Sequence, residues 1–280
     1  MDTARQIGMM KSAAVRLPEM VSLPGGTFAM GSDDGRADER PVHDVFVGPF
    51  ALGRYPVTNA EYAVFLRMTG WPEPKEWGQA GFVDARNPVC GVSWVDAVRF
   101  CEWLNEQRAG DAGGARFHLP TEAQRQYAAL GGVNGIAYPW GNEEPPAEGY
   151  YARGQAGPLT GRPMPVGTVP WWPAAPDDAI GSATGRFGLY NLADNVHEWC
   201  ADYYQADYYA VSAVDNPRGP AASKRRVATA GSWRHDVKFA RNAARSSLAP
   251  SKRFADFGFR VARSVGFAYV YSERDEARVS

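Results

Sequence analysis

The sequence predicts a single mixed domain in which short antiparallel strands and a few helices are joined by much irregular loop. Three observations lead to this prediction. Apolar residues alternate with polar ones over short segments, and three separate positions carry the sequence pattern that starts a helix. The chain also contains 30 Gly and 21 Pro, which interrupt regular structure, while a hydrophobic content of 45% is enough for a sizeable core.

The strands are predicted from alternation with a period of two. Early in the chain, apolar residues alternate on both sides of a Pro-Gly-Gly turn at residues 24–26, and again after a charged loop. They are Val21, Leu23, Phe28, Met30, Val45, Val47 and residues 50–52. Because each segment is short and bounded by turn residues, we expect paired antiparallel strands. Further strands are predicted late in the chain, at residues 226–229, 243–245 and 259–263.

The helices are predicted from capping boxes, in which a hydroxyl side chain stands three residues before an acidic or amide side chain. The three pairs are Thr58 with Glu61, Ser93 with Asp96, and Thr121 with Gln124. The first helix should end at Gly70. In the second, apolar residues recur at helical spacing and place Cys101 on the buried face, where a cysteine acts as a small hydrophobic residue.

Charge and cysteine content argue against several classes of protein. The 30 basic and 31 acidic residues nearly cancel, so no overall field attracts nucleic acid or an anionic membrane. No segment of the sequence is long and apolar enough for a transmembrane helix. Three widely spaced cysteines argue against a disulfide framework, so we expect a cytoplasmic protein. Residues 1–19 are expected to form a flexible tail, and residues 20–280 one domain.

Residues 188–199 are unusual because polar residues interrupt apolar ones at irregular spacing, which fits neither a buried strand nor an amphipathic helix. The polar residues are Asn191, Asp194, Asn195 and Glu198. Their side-chain oxygens, together with carbonyl groups of the turn between them, are ligands that a hard cation such as calcium takes. The same pattern is also typical of an Asx-rich turn that caps itself.

This stretch resembles a characteristic motif of the formylglycine-generating enzyme (sulfatase-modifying factor) family. Six further blocks resemble the family in the same order, namely residues 20–32, 55–59, 119–123, 138–141, 230–233 and 258–260. The resemblance implies an α+β, C-type-lectin-like fold, with a twisted antiparallel sheet, two main helices and much irregular loop. It also implies long ordered loops between residues 131 and 187.

The resemblance implies structural calcium (Ca²⁺) as well. At the better-matched family site, Asn191 and Glu198 correspond to side-chain ligands, and the carbonyl groups of Asp194 and Val196 correspond to backbone ligands. Asp194 stands where relatives usually have Gly, which adopts positive φ at lower cost. The second family site falls at residues 151–153, where Arg153 replaces the usual Asn, so we expect that site to be empty.

The copper chemistry of the family is not expected here. Members that make formylglycine oxidise a cysteine of a target peptide with dioxygen, using copper held by two cysteines after the Gly-Ser-Trp block. Two soft thiolate ligands select Cu(I). The corresponding residues 231–246 contain no cysteine, and His235 and Ala240 fall about where the two cysteines would be. Formylglycine formation with copper is therefore not predicted.

A groove is still predicted. By resemblance, its substrate-binding residues are Ser232, Trp233, Arg245 and Asp256. The candidate catalytic residues are Ser232, His197, His235 and Asp236. Two histidines and one carboxylate form a non-haem iron(II) site that leaves positions open for dioxygen and substrate, so Fe²⁺ is a second candidate cofactor. The alternative is that both histidines are ordinary groove residues that form hydrogen bonds with their neighbours.

Two functions follow from these residues. The first is an oxygen-dependent oxidoreductase that acts on a peptide or a small amino-acid-derived substrate without the copper-binding cysteine pair. The second is a non-catalytic ligand- or protein-binding module, because lectin-like folds present variable loops on a rigid frame. A bound transition metal with oxygen consumption favours the first function, whereas calcium alone favours the second.

Overall fold

The computed structural model describes residues 17–108, 114–143, 161–167 and 187–265. Within these ranges the chain forms three sheets and three α-helices. Most of the predicted tail over residues 1–19 and the C-terminal end of the predicted domain 20–280 lie outside these ranges. Both boundaries therefore stay predictions, as does the empty second calcium site at residues 151–153, which also lies outside the described residues.

The first sheet has four antiparallel strands in the order β1-β4-β10-β5. These strands are β1 (Met20–Leu23), β4 (Phe50–Gly53), β10 (Ala262–Val265) and β5 (Ala115–His118). A second sheet pairs β2 (Gly26–Met30) with β3 (His43–Val47). The turn at residues 24–26 therefore does not close a hairpin, because it passes the chain from one sheet to another.

The third sheet carries several of the candidate functional residues. Its order is β8-β7-β6-β9, and its strands are β6 (His197–Tyr203), β7 (Arg226–Thr229), β8 (Ser246–Leu248) and β9 (Phe257–Gly258). The pair formed by β6 and β9 is parallel, and His197 lies opposite Phe257. The family resemblance implied a twisted antiparallel sheet. The described residues instead form three sheets, and one pair of strands is parallel.

The three capping boxes predicted from the sequence are confirmed. Helices α1 (Asn59–Thr69), α2 (Trp94–Gln107) and α3 (Glu122–Leu130) each begin after the predicted hydroxyl residue, with both reciprocal hydrogen bonds of the box present. Helix α1 ends at Gly70, which adopts the left-handed conformation with a φ of 67°. The resemblance implied two main helices, and the shorter α3 is the third.

The strand predictions are confirmed over residues 20–53 and 226–229 and are partly wrong later. Residues 243–245 were predicted to be a strand, but β8 begins only at Ser246. Arg245 instead points into the interior, where it pairs with Glu122. Of the strand predicted at residues 259–263, only residues 262 and 263 belong to a strand, because β9 ends at Gly258 in the third sheet and β10 begins at Ala262 in the first.

The core is built from aromatic residues on the two longer helices. Tyr62 and Phe65 of α1 pack against Phe100 of α2, with ring centroids 5.6–5.7 Å apart. All three cysteines of the sequence are buried, which confirms that Cys101 is a core residue. Among the described residues, no helix is both long and apolar enough to cross a bilayer.

Candidate functional site

Two asparagines shape the stretch at residues 188–199. Asn191 and Asn195 have positive φ angles of 55° and 69°, which asparagine tolerates better than most residues. Both side chains hold the neighbouring segment at residues 161–167. The Asn191 Oδ1 accepts from the Gly167 N–H at 3.0 Å, and the Asn195 amide bonds the backbone of Met164 in both directions. The stretch thus forms a rigid turn that leads directly into β6.

The carboxylate of Glu198 lies between two arginines. Its Oε2 accepts from the Nε of Arg125 at 2.8 Å and the Nε of Arg260 at 2.7 Å, and its Oε1 accepts from Arg260 at 2.7 Å. The same Arg260 nitrogen donates to the carbonyl groups of Tyr190 and Asn191. A guanidinium cation therefore already contacts part of the predicted calcium ligand set.

The other predicted calcium ligands lie in the same turn. The carboxylate of Asp194 is buried and accepts a hydrogen bond from the Asn191 Nδ2 at 2.9 Å. Burial raises the pKa of Asp194 to about 6. Its carbonyl group accepts from the Val196 N–H at 2.9 Å, as in a tight turn. The structure thus brings Asn191, Asp194, Val196 and Glu198 together, and the calcium site stays a prediction.

A second group of polar side chains lies beside this turn and consists of His197, His235 and Asp256. The Nε2 of His197 is 2.7 Å from the Nδ1 of His235. The Oδ2 of Asp256 is 3.3 Å from the same Nδ1 and 4.0 Å from the Nε2 of His197. One potential ligand atom from each of the three side chains lies within 4.8 Å of the others.

Pairing of strands brings these three residues together. His197 opens β6, and because β9 runs parallel beside it, the residue just before β9, Asp256, lies next to the histidine. The N–H of His197 donates to the carbonyl group of Asp256 at 2.9 Å. His235 arrives on the loop after β7, which is held by a hydrogen bond from the Trp233 N–H to the Asn195 carbonyl group.

The hydrogen bonds determine which nitrogens carry protons. The Nδ1 of His197 is 2.5 Å from the carbonyl oxygen of Ala230, which can only accept, so Nδ1 carries the hydrogen. In the neutral ring Nε2 is then an acceptor, and the Nδ1 of His235 must donate to it. The hydroxyl of Ser232 donates to Asp256 at 3.0 Å and lies 3.0 Å from the same His235 nitrogen.

Burial keeps both rings in the neutral form. It lowers the pKa of His197 to about 4, with the nearby Asp256 opposing and His235 adding to this effect. Burial also lowers the pKa of His235, which is half-exposed. A neutral imidazole is the form that binds a metal ion, and at neutral pH neither ring has to lose a charge first.

Asp236 does not take the place predicted for it, and the predicted substrate-binding residues Trp233 and Arg245 have contacts within the protein. The carboxylate of Asp236 accepts from the N–H of Lys238 at 3.0 Å and caps a short 3₁₀ helix, Val237–Phe239, so the carboxylate beside the histidines is that of Asp256. The indole of Trp233 packs near Phe82, with ring centroids 6.1 Å apart.

The guanidinium of Arg245 is already bound on several sides. Its side chain is 1% exposed, and it donates to both carboxylate oxygens of Glu122 at 2.7 and 3.1 Å and to the carbonyl group of Asp38. A substrate would have to displace Glu122 to reach these donors. Because its donors are already bound, Arg245 acts as a structural residue at the cavity lining, and its role in substrate binding stays a prediction.

A cavity of about 630 Å³ opens beside His197, His235 and Asp256. One wall is apolar and is formed by Leu248, Phe239, Phe254 and Phe257. The remaining lining is polar and includes the arginines Arg36, Arg225, Arg234 and Arg245. The first three arginines were not predicted from the sequence, because charged residues scattered over separate loops give no local pattern.

The irregular loops and short sheets place the chain in a known structural class. The solved structure of PvdO from Pseudomonas aeruginosa superimposes with a TM-score of 0.68 at 29% identity, covering 89% of this chain and 95% of that one. A variable protein of Treponema denticola gives 0.67 at 22% identity. These likenesses confirm the C-type-lectin-like fold of proteins that resemble the formylglycine-generating enzyme.

Sequence comparison then defines the family. The profile of the sulfatase-modifying factor enzyme 1-like domain matches residues 6–265, so the chain belongs to this family. A formylglycine-generating enzyme of Thermomonospora curvata is 32% identical over 299 residues, covering 87% of this chain and 92% of the relative. The serine/threonine-protein kinase pkn1 of Chlamydia caviae is also 32% identical, but this chain spans only 38% of its length.

Proposed function

We propose that this chain is an oxygen-dependent oxidoreductase domain that acts on a peptide or a small amino-acid-derived substrate. The observation that carries this proposal is the convergence of His197, His235 and Asp256 at the wall of a cavity large enough for such a substrate. Two imidazoles and one carboxylate suit a transition metal such as Fe²⁺ and leave further coordination positions open.

The donor set fits a metal ion in one further respect. The Nδ1–H of His197 is fixed by the Ala230 carbonyl group, so the lone pair of Nε2 is directed at His235. A backbone carbonyl on the far nitrogen is the usual way in which proteins orient a metal-bound histidine. A metal ion would take the place of the hydrogen that the two rings share.

When bound, the metal would supply electron transfer to dioxygen. In the simplest balance, dioxygen takes two electrons and two protons from the substrate and leaves as hydrogen peroxide. The residues of the chain would hold the substrate in the cavity, with Asp256 as a hydrogen-bonding partner at its wall and the buried Ser232 hydroxyl fixing that carboxylate. The apolar wall would exclude water from the reacting groups.

Iron binding tests the metal site. We expect the protein, reconstituted with iron(II) without oxygen, to bind one iron per chain in elemental analysis. His235→Ala should weaken iron affinity by at least about a hundredfold, because it removes a ligand nitrogen. Asp236→Asn is the matched control, since its carboxylate caps a neighbouring turn. The activity is then tested by measuring oxygen uptake and hydrogen peroxide formation when candidate substrates are added to the iron-loaded protein.

Two results would contradict this proposal. Iron bound equally by the wild type and by His235→Ala would place the metal elsewhere. A wild type without iron affinity would favour the second function, a non-catalytic binding module. One observation supports that alternative: the shared hydrogen, Ser232 and Asp256 already satisfy the two histidines without any metal.

We propose further that the chain does not make formylglycine. Residues 231–246 contain no cysteine, and the three cysteines present elsewhere are buried. Burial also raises the pKa of the Cys90 and Cys200 thiols, which keeps them from forming the thiolates that bind Cu(I). After incubation of the protein with copper(I), reductant and a Cys-x-Pro-x-Arg peptide, mass spectrometry should detect no aldehyde product. Formation of the aldehyde would contradict the proposal that residues 231–246 correspond to the copper-binding segment of the family.

A structural calcium ion at residues 191–198 is also proposed. The side chains of Asn191 and Glu198 and the carbonyl groups of Asp194 and Val196 belong to one turn, and oxygen ligands of this kind suit calcium. At a calcium concentration of a hundred times its dissociation constant, binding should stabilise the fold by about 2.7 kcal/mol. Thermal unfolding in calcium should therefore occur at a higher temperature than in chelator, and magnesium is the control. Equal melting in calcium and in chelator would leave this stretch a structural turn.

A further inference from the structure

The cavity beside the histidines carries an excess of basic groups. Four arginines line it, whereas the acidic residues that line it are Asp38 and Asp256. Two of the arginines have strong or multiple carboxylate partners: Arg245 pairs with Glu122 at 2.7 Å, and Arg36 lies 3.4 Å from both Asp38 and Glu39. Arg234 has a single, more distant partner, Asp256 at 3.5 Å. The charge that is available to a bound molecule therefore comes from Arg225 and Arg234.

Arg225 lies at the strand side of the cavity. It immediately precedes β7 and reaches across β8, where its Nε donates to the Ser247 hydroxyl at 2.9 Å and its terminal nitrogen to the Ser247 carbonyl group. In the described part of the chain, the hydrogen bonds of the Arg225 guanidinium thus go to neutral groups. These bonds fix the plane of the guanidinium, and a fixed, planar cation is well suited to bind a carboxylate.

Arg234 lies at the histidine side of the same cavity. It stands next to His235 in the sequence, its side chain is 48% exposed, and its NH1 is 3.5 Å from the Oδ1 of Asp256. That distance is longer than a good charge-assisted hydrogen bond, which measures about 2.7–2.9 Å. Arg234 therefore keeps donors available for a ligand at the entrance to the histidine group.

The opposite lining is apolar and aromatic. Phe254 is 43% exposed, and Phe239 packs against His235 in a tilted arrangement, with ring centroids 5.2 Å apart. An exposed phenylalanine in a cavity wall provides a contact for the apolar part of a ligand. The cavity thus combines two arginine side chains with an apolar surface next to the candidate metal ligands.

We propose that the substrate of this cavity carries a free carboxylate, which Arg225 and Arg234 bind while its apolar part contacts Phe254 and Phe239. The inference rests on the proposed function, since it names the substrate class for the same site. It also specifies that an amino-acid-derived substrate enters with its charged end toward the arginines. A neutral amide of the same shape should bind much more weakly, because it cannot form the charge-assisted bonds.

The test uses ligand binding to chelator-treated, metal-free protein, so that it does not depend on the metal. The probes are N-acetyl-phenylalanine and N-acetyl-phenylalanine amide, which share the aromatic group and differ in charge. By calorimetry, the carboxylate should bind at least about tenfold more tightly than the amide. Arg225→Gln and Arg234→Gln should each remove most of this difference. Arg99→Gln is the matched control, because Arg99 is 47% exposed on α2, away from the cavity.

The outcomes separate this inference from the proposed function. Equal binding of the two probes, binding of neither, or tighter binding of inorganic phosphate than of the carboxylate would overturn the carboxylate assignment, even if iron binds as proposed. Conversely, loss of discrimination in both arginine variants supports the inference even if the protein binds no iron. In that case the cavity is the ligand site of a binding module.

Discussion

Replacing Glu198 by Gln is expected to lower the free energy of unfolding by about 3–5 kcal/mol. The side chains of Glu198, Arg125 and Arg260 are at most 2% exposed, so neither arginine can turn to water when the negative charge is removed. Two guanidinium groups would then share one neutral amide oxygen. The cost arises from these uncompensated buried cations, and it exceeds the net value of the ion pairs themselves.

Urea unfolding of the wild type and the variant measures this difference. Glu19→Gln is the matched control, because Glu19 also pairs with an arginine, Arg54, but is 60% exposed. Exposed pairs contribute about 0–1 kcal/mol. A loss below 1 kcal/mol in Glu198→Gln would show that the two arginines find other partners. This substitution alone cannot test calcium binding, since it destabilises the protein whether or not a calcium ion is present.

Replacing Gly25 by Ala should cost about 3 kcal/mol or more, whereas the same change at Gly70 should cost about 1 kcal/mol. Both glycines have positive φ angles, 72° and 67°. At Gly70 an added methyl group would meet no atom within 4 Å. At Gly25 it would lie 2.3 Å from the carbonyl oxygen of Val47 and 2.6 Å from the carbonyl carbon of Gly48. Val47 ends β3 and Gly48 lies in the short connection to β4, so these backbone atoms cannot move without disturbing both strands.

The comparison of the two alanine variants isolates the steric contribution, because the conformational cost is nearly the same at both positions. Thermal and urea unfolding should both rank Gly25→Ala as the less stable variant. Equal stability of the two variants would mean that the segment between β3 and β4 can shift, and that the passage between the two sheets at residues 24–26 is less tightly packed than the distances indicate.

Local signals in the sequence predicted the helices correctly, because a capping box involves residues only three positions apart. Thr58, Ser93 and Thr121 each start a helix where predicted. Strand pairing was predicted less well, since pairing depends on distant residues. The division of residues 257–265 between two sheets follows from the partners β6 and β4, and no local pattern records this.

The candidate site was also predicted incompletely, because it too depends on residues that are distant in the sequence. The resemblance directed attention to His197 and His235, and the structure places them 2.7 Å apart. Asp236 was predicted as the carboxylate because it lies on the same segment as His235, but neighbouring side chains on a turn point in different directions, and Asp236 caps its own turn. Asp256 reaches the histidines through the parallel pairing of β6 with β9. Only the folded arrangement of the sheet shows that Asp256 is the carboxylate beside the two histidines.

The position of β10 has a consequence for synthesis on the ribosome. β4 and β5 are made early in translation, but the strand that joins them, residues 262–265, is among the last of the described segments to be made. Until β10 emerges, both strands present unpaired edges, which are prone to pair with other chains. Arg260, the partner of Glu198, arrives at the same late stage. We therefore expect nascent chains that stall before residue 260 to depend on chaperones for their solubility.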